Sequence, residues 1–421
     1  MLRFDGKFKK VLPVLLGNTL EAYDFCLYGL LAIYFSKVFF PQSKYSLTLA
    51  FLLFSVAYLA RPLGSIIWGH IADKYGRKTV LISTLSLMAI PAIGMACMPS
   101  YENIGIIASI LVIFFRFLQG IAFGGEIPTI IVILCELAPT NRKGFFGSFT
   151  PCFFLIGYLI AMLAIVLLTN ILSSEQMLSW GWRIPLGLSV IFVFAIFYIR
   201  FQLVETKPYS ICKSISPVVD AFKNNLSSII KISLYLLCET VLFYNVMFYH
   251  HTFLKTKGIF SDNAIFTLQL FCVFIVIVFL PLFGYLSDIL GRRRISKYSF
   301  IFLILFTIPL YQLISSNFFT NVALAFIVLA FLLTVVLAVY SPIIFDEADM
   351  HCRVSVVGLG YSTITVIGSF TPMINQKLIY FYETNVAIAF YIVIAAVISL
   401  IVLHTLKDKQ MVGNKDVTKP S

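Results

Sequence analysis

Gly69-His70-Ile71-Ala72-Asp73-Lys74-Tyr75-Gly76-Arg77-Lys78 and Gly284-Tyr285-Leu286-Ser287-Asp288-Ile289-Leu290-Gly291-Arg292-Arg293 are two copies of one pattern, G-x-x-x-D-x-x-G-R-R/K. They lie 215 residues apart in a chain of 421. Each copy closes one long apolar stretch and opens the next. A short polar loop repeated at half the chain length, between apolar stretches, marks a duplicated helical membrane protein.

Working outward from the two loops, twelve stretches are long enough to cross a bilayer core, which needs about 20 apolar residues in helical form. They cover roughly 11–36, 47–71, 78–98, 104–136, 144–172 and 182–203 in the first half. In the second half they cover 228–254, 262–286, 294–315, 319–345, 353–381 and 385–406. The expected fold is therefore all-α, with twelve transmembrane helices in two pseudo-symmetric six-helix bundles. The expected division is 1–203 for the first bundle, 204–227 for a cytoplasmic linker, 228–406 for the second bundle and 407–421 for a cytoplasmic tail. The linker carries Glu205, Lys207, Lys213, Asp220 and Lys223 with Pro208 and Pro217.

Composition agrees. Hydrophobic residues make up 60% of the chain and charged residues 12%, with a mean hydropathy of +0.96. A soluble domain has about a quarter charged residues, so this chain lacks the charge to cover a water-facing surface. The net charge of +12 would point to nucleic acid in a soluble protein, but here it has a topological reading. With both termini in the cytoplasm, 23 of the 31 Lys and Arg residues fall on the cytoplasmic side and six on the outer side. That is the positive-inside bias. No cleavable leader is expected, because the first apolar stretch contains Glu21 and Asp24. The eight cysteines show no CxxC pair and none sits near a His cluster, so they read as small buried hydrophobes. No metal spacing, nucleophile motif or phosphate loop is present, and neither an enzyme nor a cofactor is expected.

The loops have a readable chemistry. The first glycine, Gly69 or Gly284, allows close helix packing. The acid, Asp73 or Asp288, can face the positive N-terminus of a helix. The arginine after Gly76 or Gly291, Arg77 or Arg292, can pair with a carboxylate at the end of a neighbouring helix, for which Glu136 is the candidate. Such contacts would hold the cytoplasmic side closed. The plainer alternative is a pair of loops that only carry positive-inside charge.

The loop resembles the signature of the major facilitator superfamily. Gly17-Asn18-Thr19-Leu20-Glu21-Ala22-Tyr23-Asp24-Phe25, Arg61-Pro62-Leu63-Gly64, Gln119-Gly120-Ile121-Ala122-Phe123-Gly124-Gly125-Glu126, Trp180-Gly181-Trp182-Arg183-Ile184-Pro185 and Glu205-Thr206-Lys207-Pro208 resemble, in that order, motifs of its metabolite:proton symporters, the group that includes proline/betaine transporters. The resemblance covers about the first 210 residues, and the second half matches chiefly through the loop at 284–293. The chain departs from the group at Ala22, where tryptophan is usual, and over Phe345–Arg353, which replaces a short FPT-type segment. The tail at 407–421 has no heptads, so the coiled coil of the osmosensing members is not implied.

The resemblance implies that the first, fourth, seventh and tenth helices line a cavity. Charges inside a membrane are costly and mark function by default. Glu21 and Asp24 share a face of the first helix, being three apart. Arg116 and Glu126 lie about 15 Å apart along the fourth helix, and Arg116 fits an R-x-x-Q-G pattern whose arginine the superfamily associates with proton coupling. Glu239 lies near the middle of the seventh helix. Arg61 near the middle of the second either packs against neighbouring helices or pairs with Asp24. The candidate substrate and proton-coupling residues are thus Glu21, Asp24, Arg61, Arg116, Glu126 and Glu239, with Arg116 and one of Glu21, Asp24 or Glu126 as the coupling pair. His250 and His251 read as interfacial residues. The gating set is Gly69, Asp73, Gly76, Arg77, Glu136, Gly284, Asp288, Gly291 and Arg292.

Burial raises a carboxylate pKa and a nearby arginine lowers it, so a cavity that alternates between wet and dry can take up and release a proton. A mixed-sign site suits a zwitterion such as proline or betaine, or a cation. The expected partners are a small solute, a proton and the lipid bilayer, with no nucleic acid, and the chain is expected to act as a monomer in a bacterial inner membrane. A proton-coupled carrier of a dicarboxylate or tricarboxylate is the alternative within transport. A non-transporting sensor on the same scaffold is the alternative outside it.

Overall fold

The computed structural model describes residues 6–41, 46–201 and 216–407. Those residues form helices joined by short turns, with no strand among them. Half of the expected linker and nearly all of the tail, with Glu205-Thr206-Lys207-Pro208, lie outside the described residues.

Twelve long helical segments follow one another. In the first half they are α1 Gly6–Leu30, α2 Ser46–Tyr75, α3 Arg77–Cys97, α4 Ile106–Leu137, α5 Thr140–Ile171 and α6 Ser174–Phe201. In the second half they are α7 Leu226–Lys255, α8 Asp262–Leu290, α9 Arg292–Ile314, α10 Phe319–Glu347, α11 Arg353–Tyr382 and α12 Val386–Leu403. The ten from α3 to α12 are long and apolar enough to cross a membrane. The 25 residues of α1 and 30 of α2 give lengths of about 38 and 45 Å, against a hydrocarbon core of about 30 Å. The chain is a multi-pass helical membrane protein of the twelve-span kind expected. Large apolar side chains stand outward, Ile171 at 76% exposure and Leu167 at 61% among them, as a lipid-facing surface requires.

Several helices are less regular than the apolar pattern predicts, α1 and α11 among them. The first apolar stretch breaks at Leu31, and a short helix, Ala32–Val38, follows α1. Its Phe35, with Phe39 just beyond, turns edge-on to the buried Trp182. The break in α11 falls at Phe370, just before Pro372, which has no N–H to continue the ladder.

The chain divides into two compact units. One comprises Met1–Leu137 and Phe153–Val218, the other Ala138–Cys152 and Val219–Ser421. The opening turns of α5 therefore group with the second unit.

In the first unit α2 and α4 approach most closely. A Cβ at Gly120 would collide with the Ala57 carbonyl, and one at Gly124 with the Arg61 carbonyl. The glycines at these i and i+4 positions let the two backbones touch. Ser65 Oγ then donates to Gly124 O at 2.7 Å and Trp68 Nε1 to Ile121 O at 3.1 Å. In the second unit α10 packs against α8 and α9, with Phe331 edge-on to Phe283 at 5.1 Å.

The repeated loops make the sharp joints between α2 and α3 and between α8 and α9. Gly76 sits at φ 103° and Gly291 at φ 98°. Only glycine adopts this region without strain, which accounts for the second glycine of each copy.

Candidate functional site

The buried charges of the first unit fall into two layers. In one, Arg200 from the end of α6 reaches between α1 and α4. Its Nη1 lies 3.3 Å from Glu21 Oε1, and its Nη2 bonds Glu126 Oε1. Nη1 also donates to Leu81 O of α3 at 2.7 Å. Thr84 Oγ1 donates to the other Glu126 oxygen at 2.6 Å. Glu21 and Glu126, candidates on separate helices, are thus brought to one guanidinium. Gly17, one turn before Glu21, makes the space: a Cβ there would collide with the Arg200 guanidinium.

Arg200 was missing from the expected site. At the end of an apolar stretch it counts as one more cytoplasmic cation, yet the structure buries it fully. The long side chain turns back along its helix to the two acids. Its one legible signal is the glycine at position 17, which no helix-propensity argument requires.

The second layer lies one turn along α1. Asp24 accepts from Ser189 Oγ of α6 and from Gln119 Nε2, the latter at 2.6 Å. Gln119 Oε1 accepts from Arg116 Nη1 at 2.9 Å. Arg116 therefore communicates with Asp24 through an amide. Its guanidinium lies 4.7 Å from the Phe25 ring centre and 4.3 Å from that of Tyr28. Arg61 comes to the same Phe25 ring at 4.7 Å and also lies over Tyr58 at 4.1 Å and Phe123 at 4.5 Å. Of the two roles expected for Arg61 the structure shows packing, and no carboxylate pairs with it among the described residues. The opposite directions of α1 and α4 explain the sorting. Going from Glu21 to Asp24 along α1 and from Glu126 back to Arg116 along α4 therefore leads the same way through the membrane, so each acid of α1 meets a different level of α4.

In the second unit Glu239 is buried in α7, its Oε2 accepting from Thr240 Oγ1 at 3.0 Å. No cation pairs with it among the described residues. Two turns on, α7 widens into a π-helical turn over Asn245–Tyr249, a distortion frequent at functional sites. Asn245 Oδ1 accepts from Asn375 Nδ2 at 2.8 Å and from the Tyr311 hydroxyl at 3.3 Å. The same hydroxyl lies 2.9 Å from His250 Nε2. This corrects the reading of His250 as interfacial: it is 1% exposed and packs on Phe326 with ring centres 4.4 Å apart. Apolar spacing cannot reveal it, because a histidine in the last turns of a span fits either place.

Each loop copy holds a helix end within its own unit. In the first, Arg77 Nη2 donates to Glu136 Oε1 at 3.2 Å, and Gly69 and Asp73 are buried at the end of α2. In the second, Asp288 accepts from the Gly144 and Phe145 amides, at 2.8 and 2.9 Å, at the start of α5. Arg292 bonds Asp288 at 2.9 Å and Asp346 at 3.4 Å, and Lys143 bonds Asp346 at 3.1 Å. Gly284 lies against Gly144 and Ser148. Asp346 was quoted in the sequence only as part of a departure. It stands to Arg292 as Glu136 stands to Arg77, so the repeat itself could have found it.

Comparison with known proteins bears on what this arrangement serves. The family described as Sugar (and other) transporter matches residues 10–216. The shikimate transporter of Escherichia coli K12 is 30% identical over 408 residues, covering 94% of this chain and 93% of its own. The citrate-proton symporter of Klebsiella pneumoniae is 31% identical, covering 93% and 90%. The proline/betaine transporter of Escherichia coli K12 is 29% identical, covering 96% and 84%. The crystallised proton:xylose symporter XylE bound to 6-bromo-6-deoxy-D-glucose superposes with a TM-score of 0.76 at 15% identity, covering 96% of this chain and 95% of its own, which is a likeness of fold. With twelve spans, a duplicated signature loop and relatives matched nearly end to end, this chain belongs to the major facilitator superfamily of transporters, in the metabolite:proton symporter group.

Proposed function

We propose that the chain is a proton-coupled symporter that imports a small zwitterionic solute of the proline or betaine kind. The observation that carries this reading is a pair of unmatched charges. Among the described residues Arg61 has no carboxylate partner and Glu239 has no cation partner. An unpaired charge at membrane depth needs a partner or a task. A zwitterion carries both signs of charge, which suits a chain whose two units each hold one unmatched charge. The names of the proline/betaine relatives support the same class.

A second reading is a proton-coupled carrier of an organic acid. The arginine surplus over Asp24 favours it, as do the relatives named for shikimate and citrate. In either case the chain works as a monomer in the bacterial inner membrane with both termini in the cytoplasm, supported by the strong bias of basic residues. The loops at 69–78 and 284–293 act as cytoplasmic latches.

Uptake of radiolabelled proline, betaine, shikimate and citrate into cells expressing the chain, with and without a protonophore, decides between the readings. Accumulation of proline or betaine that the protonophore abolishes is the expected result. Accumulation of citrate or shikimate alone would replace the first reading with the second. Accumulation indifferent to the protonophore would remove proton coupling from both.

A further inference from the structure

Arg200 is shared by two carboxylates, and among the described residues no third acid and no second cation joins them. Arg200 and Glu126 are 0% exposed and Glu21 is 2% exposed. Glu21 Oε2 and Arg200 Nε have no hydrogen-bond partner among the described residues, whereas Glu126 is bonded through both oxygens. With both acids ionised the cluster would carry two negative charges against one positive charge.

The surrounding helices do not correct this. On α1, Asp24 is engaged by Ser189 and Gln119. On α4, Arg116 is directed to Gln119 and to the rings of Phe25 and Tyr28. On α2, Arg61 is directed to the rings of Phe25, Tyr58 and Phe123. On α3, Lys78 donates at the surface to Phe201 O, and the nearer groups are Thr84 and the Leu81 carbonyl. On α6, Arg183 lies at the opposite end, bonded to Ser179 O and Met98 O. A buried charge without compensation neutralises itself in preference to remaining ionised, and two carboxylates crowding one site do not both ionise readily.

We propose that Glu21, Glu126 and Arg200 form a site for one exchangeable proton, and that this is the proton that accompanies the solute; the second part rests on the symport reading above. In the loaded state the proton resides on Glu21 Oε2, the oxygen without a partner, and Glu126 and Arg200 form a neutral pair. In the unloaded state both carboxylates engage Arg200 with one net negative charge, which is tolerable when water reaches the cluster. The Glu21 O–H bond breaks with its electron pair left on the carboxylate, and the proton forms a new O–H bond on a water molecule. The absence of a side chain at Gly17 lets Arg200 lie against α1 in both states. Arg116, the arginine expected from the sequence to be the coupling partner, serves the Asp24 layer instead.

The test uses the full chain in lipid nanodiscs and infrared difference spectra between acid and alkaline buffer. The wild type should show a titrating carbonyl band of a protonated carboxylic acid. Glu21→Gln should abolish that band component, because Glu126 and Arg200 then form a permanent neutral pair. Glu126→Gln should abolish it as well, and Arg200→Lys should keep it. Persistence of the full band in both glutamine variants would overturn the proposal. The coupling half is read in proteoliposomes with radiolabelled proline and an imposed pH gradient. Both glutamine variants should exchange proline yet show at least a tenfold loss of gradient-driven accumulation. If they accumulate like a gradient-responsive wild type, the coupling proton lies elsewhere and symport stands. If the wild type itself ignores the gradient, the symport reading falls and the coupling half with it, while the infrared result still decides the proton site.

Discussion

Replacing Gly17 by alanine asks whether Arg200 owes its position to one missing methyl group. The new Cβ would overlap Nη2, Cζ and Nε of Arg200. A long side chain on a surface would swing aside, but this one is bonded to Glu21, Glu126 and Leu81 O in a fully buried site. Displacing the guanidinium leaves its acids uncompensated, and breaking a buried pair in this way costs about 3–5 kcal/mol. Alanine in a helix interior returns about 0.5–1 kcal/mol relative to glycine. The net loss for Gly17→Ala is therefore roughly 2–4.5 kcal/mol. In an Arg200→Ala background the obstacle is gone, and the same replacement should stabilise by about 0.5–1 kcal/mol. The change of sign is the diagnostic, read by equilibrium unfolding in mixed micelles as a double-mutant cycle. An equal loss in both backgrounds would refute the reasoning, since the cost would then arise from the helix contact and not from Arg200.

Three further outcomes are expected. Asp288→Asn weakens the acceptor for the Gly144 and Phe145 amides and for Arg292; a shift of about 1 kcal/mol between conformations should change solute transport more than twofold, and the same is expected of Asp73→Asn, with initial uptake rates as the measurement. Lys74→Cys and Ile289→Cys should be labelled from the cytoplasmic side by a membrane-impermeant maleimide in a Cys97→Ser background, because Cys97 is the exposed cysteine among those described; labelling of either from outside would reverse the topology. Asn245→Ala should lower stability by about 1–3 kcal/mol, because it strands the Asn375 amide in the interior, and a thermal-denaturation midpoint unchanged from wild type would show that water replaces the Asn245 side chain.

The spans were legible because lipid permits little else. An unbroken apolar run of about 20 residues must be helical to satisfy its backbone. The loops were legible because two copies of an Asp, a glycine and an arginine at fixed spacing repeat one turn geometry, seen as φ near 100° at Gly76 and Gly291. Glu21, Asp24, Arg116 and Glu126 could be chosen as candidates from charge and depth alone. Their partners could not, because pairing depends on which helices cross at which level. Arg200 looked like a loop cation because sequence position gives the depth of its Cα and not of its guanidinium, which lies several bonds away. The Asn245–Asn375–Tyr311–His250 network was illegible for a related reason. It joins α7, α9 and α11 through a π-helical turn that shifts the register of everything after it.

The grouping of residues 138–152 with the second unit has a consequence for the order of events on the ribosome. The Gly144 amide finds its acceptor, Asp288, 144 positions later in the chain. At roughly 5–20 residues per second, the opening turn of α5 waits about 7–30 s after its own synthesis before that aspartate exists. Throughout that interval Gly144, Phe145 and Lys143 have emerged without the carboxylates that later hold them. The first half of the polypeptide therefore leaves the translation machinery with an unfinished helix start, and its maturation is timed by the arrival of α8.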